Sequence, residues 1–475
     1  MAHNTCRQAV RQARYGEYRT ICARLTVPFV HSYNATVVDT ESKCTVAVHT
    51  LGCKLNQAES EILARDLAGR GYSIVTGNKA DTFVVNTCSV THIADRKARH
   101  LVRMLRRLNP RAKIVATGCY AERDRGVLLN YGADQAIANR DKQFLLNLLE
   151  AGLQGRPDPH CAAGPVNAAD RVRSFIKIQD GCRNFCAYCI VPLVRSQVYC
   201  ISADAVVAEI KARVRDGCKE AVLTGTEIGS YNHGSFGLIG LISSILKETA
   251  IGRLRLSSLQ PQHISQELID LWQNSRMCRH FHIALQSGCD TVLRRMNRRY
   301  DTILFGHAVD LIRKSLPDAS ITTDVMVGFP EESDEEFNQS YEFCRQIKFA
   351  AMHVFSYSAR PGTPAAIMTG KINEKVKKQR SLAMLELAAH STDEFAGGFT
   401  GQTTDVLWEN EVRKGSGVYL GLTGNYIRTY ADSREDLSHK ITAVRLLMPV
   451  AQAARPVLRA STRGNHGELW GEMTA

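Results

Sequence analysis

The stretch DGCRNFCAYC, residues 180–189, decides how this sequence is interpreted. It carries three cysteines, Cys182, Cys186 and Cys189, separated by three and by two residues. The apolar run Phe175–Ile178 just before it predicts a strand, so the cysteines lie in a loop at the carboxyl end of that strand. This is the end at which βα barrels carry their chemistry.

Three cysteines at this spacing are compatible with several kinds of site. Structural zinc sites usually combine two Cys-x-x-Cys pairs, and the sequence has no matching second pair. A thioredoxin-like pair of Cys186 and Cys189 would leave Cys182 without a role. Three thiolates suit a 4Fe–4S cluster that keeps one iron open, and S-adenosylmethionine (SAM) can bind such an iron and receive an electron from it. The spacing therefore favours a cluster.

The cysteine loop opens a series in which apolar runs alternate with helical patterns, and we assign residues 171–397 to it. Six βα units predict an incomplete barrel rather than an eightfold one. The six runs are Phe175–Ile178, Ala221–Leu223, Leu254–Leu256, His282–Leu285, Ile321–Val327 and Met352–Phe355.

Residues 44–153 show the same alternation and predict an α/β domain with an open parallel sheet. Its β-branched runs are Thr45–Thr50, Thr82–Asn86 and Lys113–Thr117. Each run is followed by a cysteine, and these are Cys53, Cys88 and Cys119. The carboxyl ends of parallel strands share one edge, so the three thiols could converge on a second cluster. Because cysteine is also an ordinary core residue, the residues alone leave both interpretations open.

The remaining segments are a β-rich region and three connecting or terminal pieces. Short strands separated by Gly, Asn and Asp turns predict a small β-barrel over 398–460. Residues 154–170 are interpreted as a linker and 461–475 as a loose tail. Residues 1–43 are rich in arginine and are interpreted as a transit peptide, as a frayed extension or as the result of a wrongly assigned start codon. No function is assigned to them.

Composition sets the class of protein. The 475 residues are 44% hydrophobic and 23% charged, which excludes a disordered or fibrous chain. No apolar stretch approaches the roughly 18 residues of a membrane span, so no membrane partner is expected. The net charge of +13 suits a polyanionic partner without identifying one. The 15 cysteines are odd in number and spread along the chain, which favours reduced thiols and metal ligands in the cytoplasm over disulfides.

Nine further short motifs, taken in order along residues 44–460, resemble those of the radical SAM methylthiotransferases. They are LGCKLN (51–56), NTC (86–88), TGC (117–119), the cysteine loop followed by IVP (190–192), LQSG (285–288), MNRRY (296–300), TD (323–324), GFP (328–330) and RPGTPAA (360–366). The resemblance implies an N-terminal methylthiotransferase domain, a partial (β/α)6 radical SAM core and a terminal RNA-binding barrel called a TRAM domain.

The resemblance also implies a reaction. Members of the family add a methylthio group to isopentenyl-adenosine in tRNA, to threonylcarbamoyl-adenosine in tRNA, or to an aspartate of a ribosomal protein. LGCKLN (51–56), Asp180, LTG (223–225), IGSY (228–231) and NYIRTY (425–430) resemble the threonylcarbamoyl-adenosine branch most. We therefore expect methylthiolation at C2 of adenosine 37 in the tRNA anticodon loop. The alternatives are the other two substrates or, in a different class, a non-catalytic iron–sulfur RNA-binding protein.

Site residues follow from the same resemblance. Two 4Fe–4S clusters are expected, one on Cys182, Cys186 and Cys189, which starts the radical chemistry, and one on Cys53, Cys88 and Cys119, which handles the sulfur. The expected SAM contacts are Tyr188, Gly225, Thr226, Glu227, Gln286 and Asp324. Proteins that donate sulfur and electrons are expected partners, and a monomer is favoured.

Two further sets of residues deserve a structural check. Phosphate contacts are proposed for two basic segments, which could equally be a solvated surface. RNA contacts are also proposed for a strand face that mixes aromatic and cationic residues, although some of these aromatic residues are expected in the core of a small barrel. These are Arg96, Lys97, Arg99, Arg103, Arg106, Arg107, Arg294, Arg295, Arg298, Arg299, Tyr426, Arg428 and Tyr430. The sequence departs from the family pattern at Ser196, Cys200, Gln260, Glu331 and Ser356, where the family has a glycine at 196 and 331, a glutamate at 260 and a proline at 356.

Overall fold

The computed structural model describes residues 44–151, 172–449 and 467–473. The extension at 1–43, the linker predicted at 154–170 and most of the predicted tail therefore lie outside the described residues, as do Cys6, Cys22 and Cys161.

The N-terminal region is a five-stranded parallel sheet in the order β2-β1-β3-β4-β5. Its strands β1 to β5 are Thr45–Thr50, Ser73–Val75, Thr82–Thr87, Lys113–Gly118 and Gln135–Ile137. Its α-helices are Lys54–Gly69, His92–Leu108, Cys119–Arg123, Arg125–Asn130 and Leu145–Ala151, with a 3₁₀ helix at Asn139–Phe144. Buried side chains alternate along the central strands, so that Phe83 and Val85 pack under one layer of helices and Val84 under the other.

The central region is a parallel βα array. Its strands β6 to β16 are Arg173–Lys177, Gln179–Asp180, Tyr199–Cys200, Glu220–Thr224, Asn232–His233, Phe236–Gly237, Arg253–Leu256, Ser258–Leu259, His280–Ile283, Ser320–Val327 and Ala351–Ser356. Two sheets, β12-β9-β6 and β13-β14-β15-β16, adjoin where β12 runs on to β13. Six strand positions in sequence order, without closure, make the incomplete barrel that the sequence predicts.

Helices cover the outer side of this barrel. The α-helices are Val191–Val194, Ala203–Arg215, Leu238–Glu248, Gln266–Asp270, Asp290–Arg295, Thr302–Ser315, Asp334–Ile347, Pro364–Ile367 and Glu374–Gly397. Short 3₁₀ helices lie at Ile228–Ser230, Pro261–His263 and Leu271–Gln273. On β9, Ala221 and Leu223 belong to the core beneath the helices, whereas Glu220 faces the concave side, which we call the lumen.

The C-terminal region is a closed five-stranded barrel in the order β17-β18-β19-β21-β20. Its strands β17 to β21 are Thr403–Glu411, Val418–Thr423, Arg428–Asp432, Ile441–Pro449 and Leu469–Met473. The last strand corrects the sequence interpretation, because Leu469–Met473 was expected in a loose tail but pairs with both β19 and β20. With this extension, the predicted fold class of an α/β domain, a partial barrel and a small β-barrel is confirmed.

Lumen-facing arginines hold the C-terminal barrel against the central region. Arg253 donates to the backbone oxygens of Leu422, at 2.8 Å, and Asp405, at 2.7 Å. Arg255 is 1% exposed, pairs with Glu220 at 2.8 Å and donates to the oxygen of Gly424 at 3.1 Å. These buried charge-assisted bonds fix the barrel under the amino-terminal end of the βα array.

Candidate active site

Cys182, Cys186 and Cys189 lie in the loop after β7, at the carboxyl end of the first barrel strand. Gly181 begins this loop with φ +72°, and a Cβ there would lie 2.3 Å from the backbone oxygen of Gln197. Only glycine meets both conditions, because L residues avoid this conformation and the backbone leaves no space. The sequence thus bends sharply just before its first cysteine.

The segment 296–299 braces the loop from the opposite side. The Ala187 N–H donates to the oxygen of Met296 at 2.9 Å, and Asn297 Nδ2 donates to the oxygen of Phe185 at 3.0 Å. Phe185 and Asn297 both have positive φ, at 49° and 56°. Strained backbone of this kind persists where the surrounding structure holds it, and here it aims the cysteine loop.

Arg298 brings a cation to the thiols. Its Nη1 donates to the Sγ of Cys186 at 3.1 Å and to the hydroxyl of Tyr188 at 3.4 Å. Within the described part of the chain, Arg298 Nη2 and Asn184 Nδ2 are buried without a hydrogen-bond partner. A guanidinium with unused donors beside three thiols suits an anionic metal–thiolate group.

Two thiols of this loop, those of Cys182 and Cys189, are protonated in the absence of metal. Burial raises the pKa of Cys182 to about 12 and that of Cys189 to about 11. A metal that binds here must replace those protons, so its affinity increases with pH. The three thiols and the neighbouring donors fit a 4Fe–4S cluster with one free iron position.

The strand-end residues 225–227 lie against the cysteine loop. The side-chain oxygen of Gln179 accepts hydrogen bonds from the N–H groups of Thr226, at 3.0 Å, and Glu227, at 2.9 Å. The hydroxyl of Thr226 donates to the oxygen of Gly181. A Cβ on Gly225 would lie 2.8 Å from the oxygen of Gln179, so glycine is needed for this approach. Three of the predicted SAM contacts therefore line the loop.

Glu227 also explains one departure from the family pattern. Its Oε2 accepts from the Sγ of Cys182 at 3.4 Å, and its Oε1 accepts from Nε2 of Gln260 at 2.8 Å. A glutamate at 260 would place a second carboxylate against Glu227, whereas the amide donates to it.

The other departures have local partners. Ser196 has no positive φ, so it does not incur the strain that replacing an obligatory glycine would cause. Glu331 does have one, at 65°. The hydroxyl of Ser356 pairs with that of Ser381 at 2.8 Å, and the Cys200 thiol accepts from the N–H of Asn232 at 3.4 Å.

Gln286 and Asp324, the other predicted SAM contacts, lie on neighbouring segments of the lumen. Gln286 has φ 68°, and its N–H donates to the backbone oxygen of Asp324 at 2.8 Å. Burial alone would raise the pKa of the Asp324 carboxyl, but hydrogen bonds from His282 and His353 hold it well below its usual value. Both carboxylate oxygens of Asp324 are thus engaged by imidazoles.

The second set of cysteines forms at one edge of the N-terminal sheet. Cys53 follows β1 and caps the helix Lys54–Gly69, Cys88 follows β3, and Cys119 follows β4 and begins the helix Cys119–Arg123. These three strands are neighbours in the sheet. A Cβ on Gly52 would lie 2.6 Å from the Cβ of Cys88, and burial together with the nearby Cys53 and Cys119 raises the pKa of Cys88. The predicted convergence of the three thiols is therefore seen in the fold.

The two sets of cysteines face each other across the domain boundary. Cys119 packs with Ile190 and Val194, which directly follow the cysteine loop. Asn139 bridges the same boundary, with its Nδ2 2.8 Å from the oxygen of Val194. The pKa of Cys189 is raised mainly by burial, and Cys119 adds to the effect.

A buried charge network, absent from the sequence predictions, joins the two regions. Glu59 Oε1 accepts from Arg195 Nη1 at 2.8 Å and from Lys177 at 3.1 Å, and Glu59 Oε2 accepts from Lys142 at 2.5 Å. Arg195 also pairs with Asp180 at 2.9 Å. Burial would raise the pKa of Glu59, but the three cations hold it well below its usual value. Three cations against two carboxylates leave net positive charge beside the thiols.

Asn56 connects this network to the second set of cysteines. Its Oδ1 accepts from Arg195 Nη2 at 3.2 Å and from the Sγ of Cys53 at 3.3 Å. Its Nδ2 donates to the oxygen of Thr87, one residue before Cys88, at 3.0 Å. LGCKLN was singled out for its cysteine, but its asparagine ties the two domains together.

A second buried bridge lies on the other side of Cys88. Arg360 is 1% exposed, and its Nη2 pairs with Asp95 Oδ2 at 2.6 Å. Arg123 reaches the same carboxylate at 2.9 Å, and Ser89 donates to its Oδ1 at 2.8 Å. Nε and Nη1 of Arg360 have no partner within the described residues, so this site too has donors to spare for an anionic group.

The predicted RNA-contacting residues divide into engaged and exposed ones. Arg298 is engaged as described above, and Tyr430 is 4% exposed and packs against Val418 in a small cluster separate from the barrel core. Tyr426 is 38% exposed, although its ring stacks on that of His280 of the central region with centroids 4.6 Å apart. Because Tyr430 is buried, Tyr426, Arg428 and Tyr430 do not form a single exposed surface. The predicted RNA-contacting residues that remain exposed are Arg96, Arg103, Arg107, Arg294, Arg299, Tyr426 and Arg428.

Two further observations concern the cysteines and the helices within the described range. The twelve cysteines there are free thiols, and Cys289 is buried with its thiol 3.1 Å from the Gln339 amide oxygen. No helix in the described residues is long and apolar enough to cross a membrane.

Comparison with known proteins adds two family matches and extended relatives. Residues 45–138 match the uncharacterized protein family UPF0004, and residues 176–344 match the radical SAM superfamily. The threonylcarbamoyladenosine tRNA methylthiotransferase of Bacillus subtilis (strain 168) is 33% identical over 85% of this chain and 94% of its own length. The tRNA-2-methylthio-N(6)-dimethylallyladenosine synthase of Thermodesulfovibrio yellowstonii is 30% identical over 82% of this chain and 93% of its own.

A solved structure shares the fold. The radical SAM methyltransferase TsrM of Kitasatospora setae, determined with cobalamin and a [4Fe-4S] cluster, superposes with a TM-score of 0.51 at 14% identity. The match covers 90% of this chain and 87% of that one. At this identity the likeness concerns the arrangement of elements alone.

Proposed function

The chain belongs to the radical SAM methylthiotransferase family, and we propose that it adds a methylthio group to C2 of N6-threonylcarbamoyladenosine at position 37 of tRNA. The observation that carries the proposal is the pair of cysteine sets that face each other across one domain boundary. The substrate is supported by the relative from Bacillus subtilis, which matches along nearly its whole length.

In this proposal the six cysteines hold two 4Fe–4S clusters. Cys182, Cys186 and Cys189 would hold a cluster that supplies the electron for reductive cleavage of SAM, and Cys53, Cys88 and Cys119 would hold one that carries the sulfur. No acid or base among the side chains could activate an aromatic C–H bond, so the protein needs such cofactors for this step.

The chain's own side chains hold and orient the reactants. Arg298 offsets the negative charge of the thiolates, and Glu227 lies beside Cys182 with its second oxygen fixed by Gln260. Tyr188, together with the 225–227 strand end and Gln286, would bind SAM at the mouth of the lumen. The network around Glu59 keeps the two sets of thiols in one arrangement.

The nucleic-acid partner suits the exposed basic residues. An anticodon loop is single-stranded with unstacked bases, so a target base can leave the loop and enter the lumen. Exposed arginines at 96, 103 and 107 on the helix His92–Leu108 are available for phosphates. We further propose that separate proteins deliver electrons and sulfur, and that the chain acts as a monomer.

The decisive experiment is mass spectrometry of tRNA nucleosides from cells with and without the gene. We expect methylthio-threonylcarbamoyladenosine to disappear without the gene and to return when the gene is restored. A restored Cys186→Ala gene serves as the matched negative control. An unchanged nucleoside would refute the substrate, and loss of methylthio-dimethylallyladenosine instead would assign the chain to the branch represented by the Thermodesulfovibrio relative.

A non-catalytic role is separated by a second measurement. Reconstituted protein that binds iron at both sites but yields no 5′-deoxyadenosine from SAM would be an iron–sulfur RNA-binding protein rather than an enzyme.

A further inference from the structure

A continuous chain of hydrogen bonds runs along the lumen face of the neighbouring strands β14, β15 and β16. His280 Nε2 lies 3.0 Å from the hydroxyl of Thr322, which lies 2.9 Å from His282 Nδ1. His282 Nε2 lies 3.3 Å from one oxygen of Asp324, and His353 Nδ1 lies 3.2 Å from the other. All five side chains belong to adjacent parallel strands, so the spacing is built into the sheet.

Chemistry fixes the direction of these bonds. The ionised Asp324 only accepts, so His282 Nε2 and His353 Nδ1 carry the protons. A neutral His282 then accepts from the Thr322 hydroxyl, which in turn accepts from His280 Nε2. This assignment leaves Nδ1 of His280 bare, in agreement with that buried atom's having no partner among the described residues. With its Nδ1 proton directed at Asp324, the neutral form of His353 presents an accepting Nε2 on the side away from Asp324.

His353 lies on the face of β16 that is directed toward the lumen, and this face is accessible to solvent. Its side chain is 61% exposed, and Phe355, two residues on along the same face, is 41% exposed. The alternate residues Met352 and Val354 pack with the hydrophobic core under the helices. An exposed imidazole and an exposed aromatic ring on the concave face mark space for a ligand with a flat ring and hydrogen-bond donors.

We propose that His353 and Phe355 bind the target nucleoside, with Phe355 against the base and Nε2 of His353 accepting a hydrogen bond from its N6 substituent. The inference rests on the proposed function and specifies its substrate recognition. A threonylcarbamoyl group offers a hydroxyl and urea N–H donors, whereas a dimethylallyl group offers none. Asp324 acts through His353 as a positioning residue.

The ribose hydroxyls of SAM have the same donor chemistry, but the position of His353 argues against them. The strand-end residue Gly225 directly follows β9 and lies against Gln179 of β7, just before the cysteine loop. His353 lies three residues before the end of β16 and pairs with Asp324 on β15. On the same face, the next pair toward the carboxyl ends of the strands is that of Met326 and Phe355, a step of two residues. One such step along a strand is about 7 Å, which places His353 deeper in the lumen than Phe355.

The test uses reconstituted holoenzyme and anticodon stem-loops that carry threonylcarbamoyladenosine, dimethylallyladenosine or plain adenosine at position 37. We compare the wild type with His353→Ala, His353→Gln, Asp324→Asn and, as a matched control, His307→Ala, an exposed histidine on the outer helix Thr302–Ser315. The readouts are kcat/KM for methylthiolation, stem-loop affinity by fluorescence anisotropy, and 5′-deoxyadenosine formed from SAM without RNA.

We expect His353→Ala to lower kcat/KM on the threonylcarbamoyl stem-loop about ten- to hundredfold, because a donor in the substrate loses its partner. Its affinity for that stem-loop should fall to that for the plain one, while SAM cleavage without RNA stays unchanged. His353→Gln should recover part of the lost kcat/KM, since its amide oxygen can accept a hydrogen bond. Asp324→Asn should lower the ratio of kcat/KM on the threonylcarbamoyl stem-loop to kcat/KM on the other two stem-loops. His307→Ala should behave as the wild type.

Three outcomes would overturn parts of this picture, and they can be told apart. A His353→Ala enzyme that cleaves SAM more slowly without RNA, with an unchanged preference among stem-loops, would assign the contact to the SAM ribose. A variant with unchanged kcat/KM would show that His353 touches no substrate. A wild-type enzyme inactive on the threonylcarbamoyl stem-loop but active on the dimethylallyl one would instead refute the proposed function itself.

Discussion

The two sets of cysteines reach the same boundary by different routes. Cys182, Cys186 and Cys189 lie in one loop, which Gly181 bends and segment 296–299 braces. Cys53, Cys88 and Cys119 come from three strand ends, and their arrangement depends on the order of the N-terminal sheet. We call them the loop triad and the edge triad.

This difference predicts different sensitivities. The loop triad depends on contacts within the central region, so local changes there should affect it alone. The edge triad depends on the sheet and, through Asn56 and Arg195, on how the two regions dock. If the triads have the roles that we propose, variants should therefore separate SAM cleavage, assigned to the loop triad, from sulfur transfer, assigned to both triads and their alignment.

The largest effect should come from removing one cysteine of each triad. Cys186→Ala should reduce 5′-deoxyadenosine formation and methylthiolation by at least about a thousandfold, because a ligand is lost from the site of SAM cleavage. Cys53→Ala should stop methylthiolation to the same extent while SAM cleavage continues. Both are measured by chromatography of 5′-deoxyadenosine and of RNA nucleosides in one reaction. Full methylthiolation by Cys53→Ala would mean that the edge triad holds no cluster.

The next effect concerns the docking that the edge triad depends on. Glu59→Gln leaves three buried cations opposed by Asp180 alone, and breaking a buried pair of this kind costs about 3–5 kcal/mol. We expect the free energy of opening of the helix Lys54–Gly69, measured by hydrogen exchange, to fall by this order. Glu342→Gln, which removes an exposed pair with Arg345, is the control and should change it by less than about 0.5 kcal/mol.

The same residue gives a pH dependence. The folded-state pKa of Glu59 lies below its unfolded value, so its contribution to stability is present above the unfolded value of about 4.3 and is lost as pH falls through the folded one. Wild-type docking should weaken in acid, and the stability of Glu59→Gln should vary less over the same range. Parallel acid profiles for the two proteins would show that Glu59 is not the group responsible.

A matched pair of glycines tests whether the triads are independent. Gly118 has φ +95°, and a Cβ there would lie 2.3 Å from the oxygen of Thr87, whereas Gly181 has the equivalent restriction in the cysteine loop. Gly118→Ala should prevent iron loading of the edge triad alone, and Gly181→Ala that of the loop triad alone, each at a cost of about 2 kcal/mol in stability. Iron content and RNA-free SAM cleavage distinguish the two cases.

Gly306→Ala provides the control for this pair. Gly306 lies in the helix Thr302–Ser315 with no atom within 4 Å of the added Cβ, so alanine should load both sites and stabilise the helix by up to about 1 kcal/mol. If Gly118→Ala and Gly181→Ala each lost both clusters, the two sites would form cooperatively and the distinction between local and assembled triads would fail.

The two triads also show what sequence can predict. The loop triad is visible as a contiguous motif, and strand patterns placed β1 at Thr45–Thr50, as observed. The edge triad could be anticipated because parallel strand ends share an edge. Glu59 could not be anticipated, since its partner Arg195 lies 136 residues away and neither residue stands out locally. Leu469–Met473 was missed for the same reason, because its pairing depends on distant strands of the barrel.

Side-chain roles were harder to predict than positions. Tyr426, Arg428 and Tyr430 alternate in sequence as a strand face would, yet Tyr426 precedes β19 with φ 70° and stacks on the central region. Arg298 looked like a surface cation and lies instead against Cys186. The alternation of side chains and the charge of a segment can be read from its own sequence. Whether its side chains are buried depends on the other segments that pack against it.

The smallest effect concerns the central region alone and refines the distinction between the triads. Glu331 has φ 65°, and Thr369 donates to its carboxylate at 3.0 Å. Glu331→Gly removes both the backbone strain and this exposed hydrogen bond, whereas Glu331→Ala removes only the bond. The glycine variant should therefore be more stable than the alanine variant by about 1 kcal/mol, the usual cost of an L residue in this conformation. Because an exposed hydrogen bond contributes about 0.5 kcal/mol, the free energy of unfolding of the glycine variant in urea should also be slightly higher than that of the wild type.

The free energy of opening of the helix Lys54–Gly69, measured by hydrogen exchange, should stay at its wild-type value, since Glu331 touches no residue of the edge triad. Equal stability of the glycine and alanine variants would mean that the strain at Glu331 is relieved by its surroundings, and a change in that helix would mean that the two regions do not respond separately.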